Sequence, residues 1–355
     1  MIECLEIENF KSIDSLKLCL KKFNLFTGTN SSGKSSIIQS ILTLSQNIED
    51  DKYGLNGPLV SVGNYRDVKN YNISKGEIRI KAKSSEDFVE IKINESEELS
   101  SNRSEVKINN SNSTKETKFI NYRNGNLQYL SCNRIGSKDI YQKNRSLING
   151  VGIEGEYAID YLARHNNDVL EENLVLFKED YTLMAQVNYW LNEIIGADIK
   201  VEEIAGTDSV KASYGMGNGR YSRPRNVGSG ISYLISIIVM CLGSKENSTL
   251  IIENPEIHLH PRSQSKLCEF LYYVSMSGRQ IIVETHSDHI FNAVRVGIAT
   301  QNMESDSVVV NFLNLGEEGC TKNNEIEIGQ YGAIVNPLPE LFDQFQLDLD
   351  KMLGI

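Results

Sequence analysis

The stretch GTNSSGKSS, Gly28 to Ser36, has the residue types and spacing of a phosphate cradle, G-x-x-x-x-G-K-[ST]. Gly28 and Gly33 let the chain bend tightly around an anion. The backbone N–H groups of Asn30, Ser31, Ser32, Gly33, Lys34, Ser35 and Ser36 are expected to face the phosphates. Lys34 would place its charge on the outer phosphates, and Ser35 would offer a hydroxyl to magnesium. A purely structural glycine turn before a helix has no need of that lysine or that hydroxyl.

The second stretch is LIIENPEIHLHP, Leu250 to Pro261. An apolar strand ends in Glu253, which is expected to reach the metal directly or through water. Strands of this kind often close with two adjacent carboxylates, one for the metal and one to activate water. Here the second position is Asn254, a neutral amide that cannot accept a proton. The next acid, Glu256, follows Pro255 and becomes the candidate base, provided the turn brings it to ~3 Å from the water. His258 and His260 could suggest zinc, but no further ligands stand near them and Pro261 marks a turn, so structural roles are favoured.

Two shorter motifs complete the set. In VETHSD, His286 follows a buried strand at its C-terminal edge, where ligands bind in parallel α/β sheets. It is expected to sense the outer phosphate or to orient water. In NVGSGIS, Ser229 and Gly230 open an apolar helix, a turn that presents N–H groups to an anion. The plain alternative there is an N-cap flanked by flexible glycines.

The elements that must position these residues alternate. Ile2 to Ile7 reads as a strand, and KKFNLFTG as a second strand entering the phosphate loop. Ile37, Ile38, Ile41, Leu42 and Leu44 recur at helical spacing. From Glu77 to about Tyr122, EIRIKAK, FVEIKI and EVKI read as a meander of exposed antiparallel strands, separated by the polar segments NESEELSSNRS and NNSNSTKE. GEYAIDYLARH and YTLMAQVNYWLNEII read as helices, with Trp190 on a core-facing stripe. After Gly228, helix and strand alternate through GISYLISIIVMCL, STLIIE, SQSKLCEFLYYVS, RQIIVET, DHIFNAVRVGI and SVVVNFLNL, which predicts a mostly parallel sheet flanked by helices.

Bulk properties narrow the function classes. The chain has 355 residues and a net charge of -11, which weighs against DNA binding by this chain alone while leaving room for a local basic groove. The basic clusters KLCLKK and RYSRPR are local. The longest apolar run, Tyr233 to Leu242, falls short of the ~20 residues of a membrane span. The N-terminus carries no secretion pattern. Six scattered cysteines without a CxxC pair are expected to be reduced, mostly buried thiols of a cytoplasmic protein.

With these motifs in the order GTNSSGKSS, NVGSGIS, LIIENPEIHLHP and VETHSD, the chain resembles the ABC-type ATPases that include the SMC and RecF proteins. More closely, it resembles the bacterial ATPases related to the overcoming-lysogenisation-defect proteins, through PEIHLHP, THSD, LNGPLVSVGNYRDV, YLSCNRIGS and VGIEGEY. The resemblance implies an α/β P-loop core with a mostly parallel sheet, an antiparallel meander over 70–125 and a helical insertion over 150–200, within one ATPase domain spanning 1–355. It gives Lys34 and Ser35 to phosphate and magnesium, Glu253 to the metal and His286 to the switch position. Ser229 and Gly230 become the signature that closes a homodimer or higher oligomer around ATP. Asn254 departs from the pattern, so slow hydrolysis is expected. Related nucleases carry a C-terminal nuclease domain for which too little chain follows TQNMES, so a separately encoded effector in anti-phage defence is the expected partner. A DNA repair or recombination ATPase, and a non-hydrolysing ATP-sensing scaffold, stand as alternatives, and nucleic acid stays open as a partner.

Overall fold

The computed structural model describes residues 1–48, 53–72, 76–95, 105–110, 119–146, 150–217 and 219–354. The N-terminal third holds β1 (Cys4–Phe10), β2 (Ile13–Cys19), β3 (Phe23–Gly28), α1 (Lys34–Gln46), the single turn α2 (Tyr65–Val68), β4 (Ile78–Lys83), β5 (Phe88–Asn94) and β6 (Glu105–Asn110). Next come β7 (Leu127–Leu130), β8 (Tyr141–Gln142), α3 (Ala158–His165), α4 (Leu183–Ile195), β9 (Asp198–Glu203), β10 (Ser209–Gly215) and β11 (Tyr221–Ser222). The chain closes with α5 (Ser229–Leu242), β12 (Thr249–Glu253), α6 (Pro261–Met276), β13 (Gln280–Glu284), α7 (Asp288–Ala299), β14 (Val308–Leu315), β15 (Thr321–Glu325) and α8 (Gln344–Leu353). Two compact units result: Met1–Ile2 with Glu116–Thr285, and Glu3–Lys115 with His286–Ile355.

In the first unit, β12 pairs in parallel with β7 on one side and β13 on the other. TLIIE and QIIVE are buried at every position. Such unbroken burial is what a parallel strand covered on both faces requires. Thr182 caps α4 by accepting from the Ala185 N–H, and Gly196 ends the helix in a left-handed conformation. Trp190 of α4 is buried, its ring 4.9 Å from Phe270 and 5.4 Å from Tyr273. The hairpin of β9 and β10 lies between the expected helices and was not apparent in the sequence pattern, because VEE and its surroundings alternate weakly.

In the second unit, β14 runs parallel to β3 and antiparallel to β15. A separate antiparallel sheet has the order β2-β1-β4-β5-β6. The expectation of exposed strands after Glu77 is corrected on one face. Ile78, Ile80, Ala82, Val89, Ile91 and Ile93 are fully buried, because period-two alternation places them together and β4 joins β1. Most of the polar segments NESEELSSNRS and NNSNSTKE fall outside the described residues. The cysteines are all free, but only Cys241 and Cys268 are buried, which corrects the expectation that most would be. Among the described residues no helix is long and apolar enough to cross a membrane.

Candidate functional site

The second unit shapes GTNSSGKSS into a loop between β3 and α1. Gly28 has φ 142, and a Cβ there would lie 2.0 Å from the Leu313 carbonyl oxygen of β14. Gly33 has φ 102, and a Cβ would meet the Thr321 hydroxyl at 2.3 Å. Both positions therefore exclude side chains on conformation and on space. Ser12 and Thr321, hydrogen-bonded at 2.7 Å, form the wall behind Gly33. The Lys34 amine curls back over the loop and donates to the carbonyls of Gly28 (3.0 Å) and Thr29 (2.7 Å). The start of α1 has no side-chain cap and no acid in its first turn. A helix start so built, with a buried ammonium beside it, attracts an anion. The Ser32 hydroxyl is fully buried and finds no hydrogen-bond partner among the described residues. These features fit a phosphate chain.

His286 belongs to the same unit. Burial, and secondly the Lys34 charge, hold its imidazole below the ordinary histidine range. The two residues picked out separately in the sequence are thus electrostatic neighbours, and His286 is neutral at pH 7. We expect a histidine NMR titration to place His286 below its usual value of ~6.5. Lys34→Ala should move it upward, because a cation that opposes protonation has gone. An unmoved midpoint would sink the neighbour relation. Lys11, not singled out in the sequence, also meets α1: its amine donates to Gln39 Oε1 at 2.5 Å, and burial pulls its pKa down.

The first unit builds the acidic end. Glu253 closes β12 and is buried. Its Oε2 accepts the Cys132 N–H at 3.0 Å, and its carboxylate bonds the Tyr129 hydroxyl. Burial first, and Glu253 second, push the Tyr129 and Cys132 pKa values up. Glu284, at the end of β13, stands in register beside Glu253 and is also buried. Asn254 adopts φ 43, tolerated by asparagine better than by most residues. The chain then turns: the Ile257 N–H donates to the Asn254 carbonyl at 3.3 Å, and the Leu259 N–H to the Glu256 carbonyl at 3.0 Å. Glu256 is half-buried and is the acid that most favours the charged form of Arg134.

His258 and His260 have structural work. The His258 ring packs on Tyr233 with centroids 5.0 Å apart, and His260 caps α6 by accepting the Arg262 N–H. The His258 carbonyl lies where a Cβ on Gly230 would sit, at 2.6 Å, so the start of α5 seats against the ENPEIH turn only with glycine at that position. Ser229 is exposed at the head of α5, which again has neither cap nor first-turn acid. Sequence reading missed Tyr129, Cys132, Arg134 and Glu284. The first three sit in YLSCNRIGS, whose only sequence signal was the resemblance.

A family profile described as AAA ATPase domain matches residues 1–182 and 191–291. The Old nuclease of Escherichia phage P2 is 39% identical over 72 residues, which is 20% of this chain and 12% of that protein. The chain thus spans only a small part of that curated relative. Among solved structures, the Smc head domain with an extended coiled coil, bound to the C-terminal domain of ScpA from Pyrococcus furiosus, matches with TM-score 0.59, 14% identity and coverage of 99% of each chain. An SmcHead bound to the C-winged helix domain of ScpA matches with TM-score 0.58, 13% identity, and coverage of 92% of this chain and 98% of that one. At such identities the likeness establishes an SMC-head-like fold.

Proposed function

The chain belongs to the AAA ATPase domain family, and from that premise we propose that it binds ATP with magnesium and hydrolyses it slowly. In this reading it is a cytoplasmic switch subunit that dimerises around ATP and controls a separately encoded effector, a nuclease, in bacterial anti-phage defence. The whole of 1–355 acts as one ABC-type ATPase domain, with an antiparallel β meander over 70–125 and a helical insertion over 150–200. The observation that carries the nucleotide part is the joint of β3 and α1: side-chain-free Gly28 and Gly33, buried Lys34, and a helix start without cap or acid.

The roles follow from the chemistry of each group. The backbone from Asn30 to Ser36 holds the phosphates, and Lys34 neutralises them. Ser35 and Glu253 hold magnesium, which when bound balances the charge of the outer phosphates. Glu256 accepts the proton of the attacking water, since Asn254 cannot. His286, neutral, orients that water or senses the outer phosphate. Ser229 and Gly230 offer the start of α5 to the nucleotide of a second copy. The likeness to the Old nuclease supports the nuclease-linked role, and the SMC heads bound to ScpA domains support a protein partner.

The dimer is tested by light scattering on gel-filtered protein. Glu256→Gln protein should shift from monomer to dimer as ATP is added, and Lys34→Ala protein should not shift. A Glu256→Gln protein that stays monomeric at every ATP concentration removes the sandwich. A second reading, a DNA-binding ATPase, is favoured by Arg220, Arg223 and Arg225, all exposed just before α5. Absence of duplex binding at low salt eliminates it.

A further inference from the structure

Arg134 does something that the nucleotide reading leaves unused. The residue is 4% exposed, in the loop after β7. Nη1 donates to the carbonyls of Ser131 (3.0 Å) and Glu253 (2.5 Å), and Nη2 to the carbonyl of Asn254 (2.6 Å). Every acceptor is backbone, and two of them are consecutive residues at the end of β12. In an extended strand, consecutive carbonyls point to opposite sides. Both can face one guanidinium here because Asn254 leaves the strand with φ 43. The Asn254 carbonyl that Arg134 grips also accepts the Ile257 N–H, the bond that closes the turn carrying Glu256.

A buried charge is a poor choice for pinning backbone alone. Burying a cation costs desolvation, and a neutral amide side chain could bond carbonyls without that loss. The planar guanidinium instead supplies donors in a fixed fork that reaches the carbonyls on both sides of the turn. A lysine could not replace it, because a single ammonium does not match two carbonyls held in a fork.

We propose that Arg134 is a positioning residue for hydrolysis: it clamps the Glu253 and Asn254 carbonyls and so sets where the Glu256 carboxylate stands. This rests on reading Glu256 as the acid that takes the water's proton. The hydrogen bonds of Arg134 go to the backbone after β7 and β12, so the expected effect of losing them is on the rate and not on nucleotide affinity.

The experiment compares ATP turnover, calorimetric ATP affinity and thermal melting for wild type, Glu256→Gln, Arg134→Lys and Arg134→Ala. Arg134→Lys should stay folded with a lowered melting temperature and bind ATP like wild type while kcat falls ~10- to 100-fold, the size of effect seen when groups that orient a site's ligands are lost. Arg134→Ala should lose more, and millimolar guanidinium should restore part of its kcat at unchanged affinity. The proposal is overturned by wild-type kcat in Arg134→Lys, by equal losses in kcat and affinity, or by failure of both variants to fold, each of which leaves Arg134 purely structural. Wild-type turnover in Glu256→Gln brings down the underlying reading and this proposal together, and that result is distinguishable because it appears in a variant with Arg134 intact.

Discussion

Lys34→Ala is expected to abolish detectable ATP turnover and to weaken ATP binding by roughly 100-fold or more. The side chain is buried, and its amine already points into the loop through the carbonyls of Gly28 and Thr29. A hydrogen bond to a charged group contributes about 1.5–3 kcal/mol, and an ammonium facing several phosphate oxygens makes more than one. The helix start alone, without the cation, supplies only part of the attraction, about 0.3–1 kcal/mol for each charge near it. Lys34→Met keeps the stem and isolates the charge, so both variants should fail alike if charge is what matters. Fluorescent-nucleotide titration beside a melting curve checks this. Unchanged affinity in a folded Lys34→Met protein would remove the phosphate loop as the binding site. Wild-type turnover that Lys34→Ala abolishes would also count against a scaffold that only senses ATP.

The second large effect concerns the missing acid. Glu256→Gln should lower kcat by ~10²- to 10⁴-fold, the range of general-base contributions, with little change in ATP affinity. Asn254→Ala should change the rate far less through its side chain, because an amide accepts no proton. It should cost some stability, because alanine is strained at φ 43 where asparagine is tolerated. Single-turnover hydrolysis separates chemistry from product release. If neither substitution alters the rate, the acid that activates water lies elsewhere, and Glu284, buried in register beside Glu253, becomes the next to replace.

The nucleotide loop could be read from linear order because it is built locally. A strand, a turn and a helix start draw all their phosphate-facing groups from Gly28 to Ser36, so spacing alone specifies them. The buried strands TLIIE and QIIVE were equally plain, since two covered faces leave an unbroken apolar run. The surroundings of Glu253 were not plain. Arg134 reaches the Glu253 carbonyl across 119 positions of sequence, and Cys132 reaches its carboxylate across 121. Those contacts exist only because β7 lies parallel beside β12, and parallel neighbours are joined by long crossovers that leave no short-range pattern. The wall that Ser12 and Thr321 place behind Gly33 likewise joins residues 309 positions apart. Groups brought together by strand pairing have no fixed spacing along the chain, so the phosphate loop was written in the sequence, while the clamp on the acid that follows β12 came only with the fold.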